Sequence, residues 1–284
     1  MENIIIDQSK CVKCKKCIKV CSSNVLSFDT ERVIISYPEF CISCGHCAAI
    51  CLKDAISSHP DNNRNPFVTK LIPSDRSDNQ LLFHEKRSVR EFKDQPIPKD
   101  LIEELIKYGE KAPSSENLRK RKYYVITDKN KIAELEQAIA KIYKNLLLIL
   151  NPLLLKLVSL WSKKTANELK NLVIDFKRVV DEQKKGMNPI FRDAPSIICT
   201  AAPTNSVQSK DDCLATQQYM MLYGHTCDIG SCIIGYAQYA HKTLEKYLKV
   251  PKGYSIFAVT IFGYAKYTYE KEIEYTSKVN ISWC

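Results

Sequence analysis

The chain has 284 residues, 45% hydrophobic and 26% charged, the balance of an ordinary globular protein with one or two domains. It opens Met1–Asp7 with neither a basic segment nor a long apolar one, so no cleavable signal is expected. Its thirteen cysteines, unusual for a disulfide scaffold of this size, are therefore expected to be reduced or metal-bound in a cytoplasmic setting. The net charge of +10 is uneven, +1 over residues 1–60 and +9 beyond, and suits phosphate-bearing ligands, nucleic acid or an acidic protein surface without choosing among them.

In chain order, short β-like runs at Ile4–Ile6 and Val33–Ile35 each precede a cysteine array. Cys11, Cys14, Cys17 and Cys21 recur thirty residues on as Cys41, Cys44, Cys47 and Cys51, an internal duplication of C-x2-C-x2-C-x3-C. Three thiolates spaced two residues apart curl around one iron–sulfur cubane and take three of its irons. In this pattern the fourth ligand comes from the other array. Cys11, Cys14, Cys17 and Cys51 are thus assigned to one [4Fe–4S] cluster, and Cys41, Cys44, Cys47 and Cys21 to a second. Zinc is the rival metal, but its sites favour two well-separated pairs closing a tetrahedron. The arrays resemble those of bacterial two-cluster ferredoxins over residues 1–60. One departure is that Ser22 and Leu52 stand where that family has proline after the fourth cysteine. Lys10, Lys13, Lys15, Lys16 and Lys19 crowd the first array, either as a solvated face or as a docking patch for an acidic electron donor.

Residues 61–80, rich in Pro, Asn, Asp and Ser, read as a linker. Beyond them Pro98-Lys99-Asp100 starts a helix with Leu101, Ile102, Leu105 and Ile106 on its apolar face and Gly109 near its end. Tyr123–Thr127 reads as a strand, 130–185 as mostly helical, Ser196–Ala201 as a strand, Asp211–Cys227 and Ile234–Leu248 as helices, and Ser255–Phe262 as a strand. The greasy run Leu146–Trp161 is broken by Asn151, Pro152 and Lys156 and falls short of a spanning helix. The expected fold class is α+β: a small ferredoxin-like domain (1–60), the linker, and a larger α+β domain (81–284) with a helical insert over 141–190. Cys199, Cys213, Cys227, Cys232 and Cys284 have no metal spacing and read as core or bystander residues.

The larger domain has neither a Walker lysine loop nor G-x-G-x-x-G. Instead Lys86, Arg87, Ser88 and Arg90 pack three cations and a hydroxyl into five residues, a combination suited to a phosphate. Ala112-Pro113-Ser114-Ser115-Glu116-Asn117 follows as a polar turn. Taken alone, each is as readily a solvated face or an ordinary turn. In this order they resemble the R-S-x-R-x-[FY] and P-S-x-x-N segments of the nitroreductase family. Phe191–Pro195, Asp228–Tyr236 and Phe262-Gly263-Tyr264 resemble that family's later motifs. The resemblance spans about 80–284 and implies bound FMN. By position, Lys86, Arg87, Ser88 and Arg90 would hold the FMN phosphate and ribityl chain. Pro113, Ser114, Ser115 and Asn117 would contact the flavin and ribityl chain, and Ile229, Gly230 and Ser231 would present backbone near its redox edge. The family's C-terminal phosphate-binding arginine falls near Tyr275 here, with Lys266 or Lys271 as substitutes, and Arg119-Lys120-Arg121 replaces its Gln-Pro-Trp. His225 is expected to be structural.

The resemblance further implies a homodimer and an oxidoreductase that reduces electron-poor acceptors such as nitroaromatics or quinones. Electrons would come from NAD(P)H or a ferredoxin-like donor through the clusters, with no catalytic side chain needed because the flavin does the redox chemistry. Two other classes stand beside this: an electron-transfer or redox-sensing flavoprotein without small-substrate turnover, and a nucleic-acid binder. No aromatic-interleaved basic motif supports the last, and neither nucleic acid nor membrane is an expected partner.

Overall fold

The computed structural model describes residues 4–42, 44–58, 66–70, 78–269, 271–275 and 280–284. The chain divides into two compact units, residues 1–86 with 265–284, and residues 87–264, so it crosses between them twice.

In the first unit, β1 (Ile4–Ile6) pairs antiparallel with β4 (Ile56–Ser58), and β2 (Leu26–Asp29) with β3 (Arg32–Ile35). Two short helices, α1 (Lys16–Val20) and α2 (His46–Ala49), stand at equivalent places in the two arrays. The duplication reaches the backbone dihedrals. Lys15 and Gly45, thirty residues apart, enter their helices with φ of 60° and 73°, and Asn24 and Asp54 turn the chain after each array with φ of 50° and 49°. Asn and Asp are the non-glycine residues that tolerate this left-handed region best. The core is small: Ile4, Val20, Val25, Leu26, Val33, Ile50 and Ile56.

The stretch expected to be a linker contains β5 (Pro66–Lys70) and leads into α3 (Asp78–Glu85); residues 61–65 and 71–77 lie outside the described residues. β5 pairs antiparallel with β10 (Lys271–Tyr275), placing Val68 opposite Ile273. That partner lies some two hundred residues away, so local composition carries no sign of it. Tyr267 and Tyr269 pack on the first unit's core. The chain's end, expected to close the larger domain, belongs instead to the compact unit of the cysteine arrays.

The second unit is built on a four-stranded antiparallel sheet in the order β6 (Lys122–Ile126), β7 (Ser196–Pro203), β9 (Tyr254–Tyr264), β8 (Ile229–Ile233). β7 is buried on both faces, which is why it reads as an unbroken apolar run. Ile197, Cys199 and Ala201 face one cluster, formed with α5 (Lys129–Ile149), α7 (Lys163–Lys184), α9 (Gly235–Tyr239) and α10 (His241–Tyr247). Ile198 faces the other, with Ile102 and Leu105 of α4 (Lys99–Gly109) and Met220 and Met221 of α8 (Ser209–Thr226). A register shift at Thr200/Ala201 pairs Ala201 with Ile256, and both join the cluster that holds Val259 and Ile261.

The predicted elements appear with small changes of boundary. Two differences are substantive. The helix expected over Ile234–Leu248 is two helices that meet at Ala240, and β8 was not anticipated as a strand. The expected insert, 141–190, takes in the end of α5, α6 (Pro152–Trp161) and α7. α5 ends at Leu150, Asn151 caps α6 by accepting from the Leu154 N–H at 2.9 Å, and the two helices bend by 67°. No single helix among the described residues is long and apolar enough to cross a membrane. Cys199, Cys213 and Cys232 are buried as expected of core residues.

Candidate functional site

The first unit gathers its eight array cysteines into two groups, and the groups are crossed. Cys11, Cys14, Cys17 and Cys51 border one cavity of about 120 Å³, walled further by Ile6, Val33, Ile50 and Ile56. Cys21, Cys41, Cys44 and Cys47 border a second of about 30 Å³ with Ile4 and Val25. Both exceed the ~10–15 Å³ that one water needs, yet their walls are largely apolar, so each suits a bound inorganic group better than solvent. Burial pushes the Cys17 thiol up to about 11, and Cys14, Cys51 and Cys11 crowd it electrostatically. Burial raises Cys47 too, with Cys44, Cys21 and Cys41 beside it. Four such sulfurs are held as thiolates only against a cationic centre, and iron supplies one. Among the described residues, no three His, Cys, Asp or Glu side chains converge on a single metal ion. Four cysteines around each cavity suit the ligation of a cubane.

The crossing ligands carry matched backbone hydrogen bonds. The Val25 N–H donates to Cys21 Sγ and the Ala55 N–H to Cys51 Sγ, both at 3.3 Å. Such bonds stabilise charge on a ligating sulfur and help set a cluster's potential.

In the second unit the residues expected near a phosphate meet those expected near a flavin edge. Ser88 bridges Ser231 in parallel register, and the Val89 N–H donates to the Ser231 carbonyl at 3.0 Å. The segment after Lys86 thus runs along the free edge of β8. Gly230 permits this: a Cβ there would stand 2.7 Å from a Val89 methyl carbon. Lys86 itself follows α3, its N–H donating to the Leu82 carbonyl at 3.1 Å. Arg90 Nη1 donates to the Ser88 carbonyl at 3.4 Å.

Ser231 is 1% exposed, and among the described residues its hydroxyl has no hydrogen-bond partner. A buried hydroxyl of this kind, on the strand edge that the Arg87–Arg90 segment follows, is one that an anionic or carbonyl-bearing ligand can satisfy, so the residues present fit FMN. Sequence reading passed over Arg192. Burial, with the Arg90 charge nearby, holds its guanidinium below its ordinary value. It lies within the Phe191–Pro195 motif, where Arg192 and Asp193 both take left-handed backbone (φ 55° and 53°), and the motif gave its side chain no role.

Ser114, Ser115 and Asn117, in the turn that Pro113 opens, are held by hydrogen bonds within the turn and to α8. The Ser115 N–H donates to Asp212 Oδ1 in the first turn of α8 at 3.0 Å. The Arg119 N–H donates to Ser114 Oγ at 3.1 Å, and Arg119 Nε to Asn117 Oδ1 at 3.0 Å. Beneath the turn, Arg121 is 7% exposed, donating to Thr216 Oγ1 at 2.5 Å and Glu110 Oε2 at 3.3 Å. It is a buried strut. Of the proposed substitutes for the missing C-terminal arginine, Lys271 is engaged in the first unit, on the Cys51 carbonyl and Asp54.

A nitroreductase family model matches residues 84–264, ending where the second unit ends, and a 4Fe–4S dicluster domain model matches residues 3–52. The N-terminal part is 34% identical over 76 residues to Ferredoxin-3 of Nostoc sp., covering 20% of this chain and 78% of that protein. A nitroreductase with bound FMN from Bacteroides fragilis is similar in fold at 16% identity and TM-score 0.55, covering 73% of this chain and all of that one. One from Desulfitobacterium hafniense, also with bound FMN, has 18% identity and TM-score 0.51 over the same shares.

Proposed function

From the premise that this chain belongs to the nitroreductase family of flavin oxidoreductases and carries a 4Fe–4S ferredoxin domain, we propose that it holds two [4Fe–4S] clusters and FMN and reduces electron-poor acceptors such as nitroaromatics or quinones. Cofactors of these types, when bound, supply one-electron transfer (the clusters) and one- or two-electron transfer (the flavin). The observation that carries the reading is the pairing, on one chain, of two crossed four-cysteine cavities with the Ser88–Ser231 junction.

Cys11, Cys14, Cys17 and Cys51 hold one cluster, and Cys21, Cys41, Cys44 and Cys47 the other. Lys86, Arg87, Ser88 and Arg90 hold the FMN phosphate and ribityl chain by charge and hydrogen bonding. Ser231, with Ile229 and Gly230, lines the flavin from β8. Pro113, Ser114, Ser115 and Asn117 bound the flavin and ribityl chain. The protein acts in the cytoplasm as a homodimer, in which the 141–190 helices cover the flavin or the subunit interface. Its electrons come from NAD(P)H or a ferredoxin-like donor, the basic face of the first array docking the latter.

The test is anaerobic purification of the full chain with iron, sulfide and flavin analysis, followed by turnover of a nitroaromatic and a quinone. NAD(P)H and a reduced ferredoxin are compared as donors. Flavin and iron with acceptor turnover support the reading. Cofactors present without turnover of any acceptor point to the electron-transfer or redox-sensing alternative, and colourless or zinc-loaded protein overturns both.

A further inference from the structure

The two halves of the cysteine duplication match in spacing, dihedral angles and N–H to sulfur bonds, and differ at the turn that follows each array. After the first array the left-handed turn residue is Asn24; after the second it is Asp54, and Asp54 is joined by Lys271. Lys271 comes from β10, beyond the nitroreductase match, and is buried at 9% exposure. Its ammonium donates to the Cys51 carbonyl at 2.5 Å and pairs with the Asp54 carboxylate. Tyr267 and Tyr269, just ahead of it, pack on the first unit's core, Tyr269 edge-on to His46 with ring centroids 5.6 Å apart. β10 also pairs with β5 along its whole length. The C-terminal segment is thereby anchored to the ferredoxin unit and delivers one cation to the backbone of a single crossing ligand.

We propose that Lys271 is a positioning and tuning residue that raises the reduction potential of the cluster ligated by Cys51, and so sets the two clusters apart in potential. This rests on the cluster assignment above. Reduction brings in one electron, supplied in a titration by dithionite, and adds one negative charge to the site with no proton required. A buried ammonium at the Cys51 carbonyl stabilises that added charge. The opposing Asp54 carboxylate is 77% exposed and largely screened by water, so it offsets only part of the effect. No comparable buried lysine is described at Cys21, whose turn residue Asn24 is uncharged.

The test is an EPR-monitored redox titration of the full-length, anaerobically purified protein, with iron and sulfide measured first. Wild-type protein without two clusters' worth of iron and sulfide defeats the cluster assignment itself, separately from the role of Lys271. Given loaded protein, Lys271→Met lowers one of the two potentials by at least about tenfold in the reduction constant, ~59 mV for a one-electron couple, and leaves the other in place. Asp54→Asn raises that same potential by less. Asparagine already occupies the equivalent left-handed position at residue 24, so this second variant is expected to fold. Two unmoved potentials in the Met variant, or two that move together, overturn the proposal. If the Met variant does not keep its iron, Asp54→Asn decides alone: a rise in one potential supports the role, and no change overturns it.

Discussion

Gly230 and Val89 stand so close that a Cβ on the glycine would lie 2.7 Å from one Val89 methyl carbon and 2.8 Å from the Val89 Cβ. Contacts below about 3 Å force something to move, and here what can move is the segment carrying Arg87, Ser88 and Arg90. The closeness of these two residues lets a cationic segment lie along the edge of β8 beside the orphan Ser231 hydroxyl.

Gly230→Ala is therefore expected to push residues 88–90 off β8 and break the Val89 to Ser231 hydrogen bond. Overpacking of this kind costs about 1–3 kcal/mol. Flavin per chain falls while iron per chain does not, so the flavin-to-iron ratio of purified protein is the readout. An unchanged ratio would show that the junction does not hold the flavin.

Crossed ligation has a signature in double variants. Cys11→Ala and Cys51→Ala remove ligands of the same cluster, so the pair loses no more iron than either alone, about half. Cys11→Ala with Cys21→Ala strikes both clusters and removes nearly all of it. Iron analysis and the visible spectrum distinguish these patterns, and the opposite pattern would mean that each array closes its own cluster.

Glu136 is 1% exposed and accepts the Ile190 and Phe191 N–H groups at 2.9 and 2.8 Å, tying the end of the α7 connection to α5. Burial, against those two bonds, raises its carboxyl to about 7 from an ordinary 4.5. The native state then holds more protons than the unfolded chain between those values. The stabilising contribution is full below about pH 4.5 and is lost as pH rises through 7. Urea unfolding across this range should show a decline of up to ~1.4 kcal/mol per pH unit from this residue. Glu136→Gln should flatten it, and an equally steep slope in the Gln variant assigns the dependence elsewhere.

Arg121 bridges Glu110, Thr216 and the Ala112 carbonyl from a buried position, beneath the turn that holds Ser114 and Ser115. Arg121→Ala removes the charge opposite Glu110, which keeps only the Tyr123 hydroxyl among the described residues, and leaves the Thr216 and Ala112 acceptors without the guanidinium. The expected loss is about 3–5 kcal/mol, read as a lowered midpoint in urea unfolding. Lys120→Ala, an exposed neighbour, should move that midpoint by less than about 0.5 kcal/mol. Equal effects of the two would deny Arg121 its role as a strut.

The cysteine arrays were legible in the sequence because iron ligation imposes fixed spacing on a short stretch of chain. The spacing of Cys11 to Cys21 and of Cys41 to Cys51 is itself local chemistry. The strands Ser196–Pro203 and Tyr254–Tyr264 were equally legible, since strands buried on both faces need unbroken apolar runs. β8 was hidden by its glycine and serine, which suit an edge that another segment approaches closely. The burial of Arg121 left no sign in the sequence because it depends on a partner far along the chain, Thr216.

By itself, then, the sequence determined the ligand chemistry, the duplication, the order of the core elements and the family motifs, all carried by residues close together in the chain. Only the tertiary structure decided that residues 265–284 group with the cysteine arrays, that β5 pairs with β10, and that Lys271 reaches Cys51 rather than a phosphate. These pairings join residues some two hundred positions apart. Strand pairing and buried charge are settled by which surfaces meet in space, and no local spacing records that.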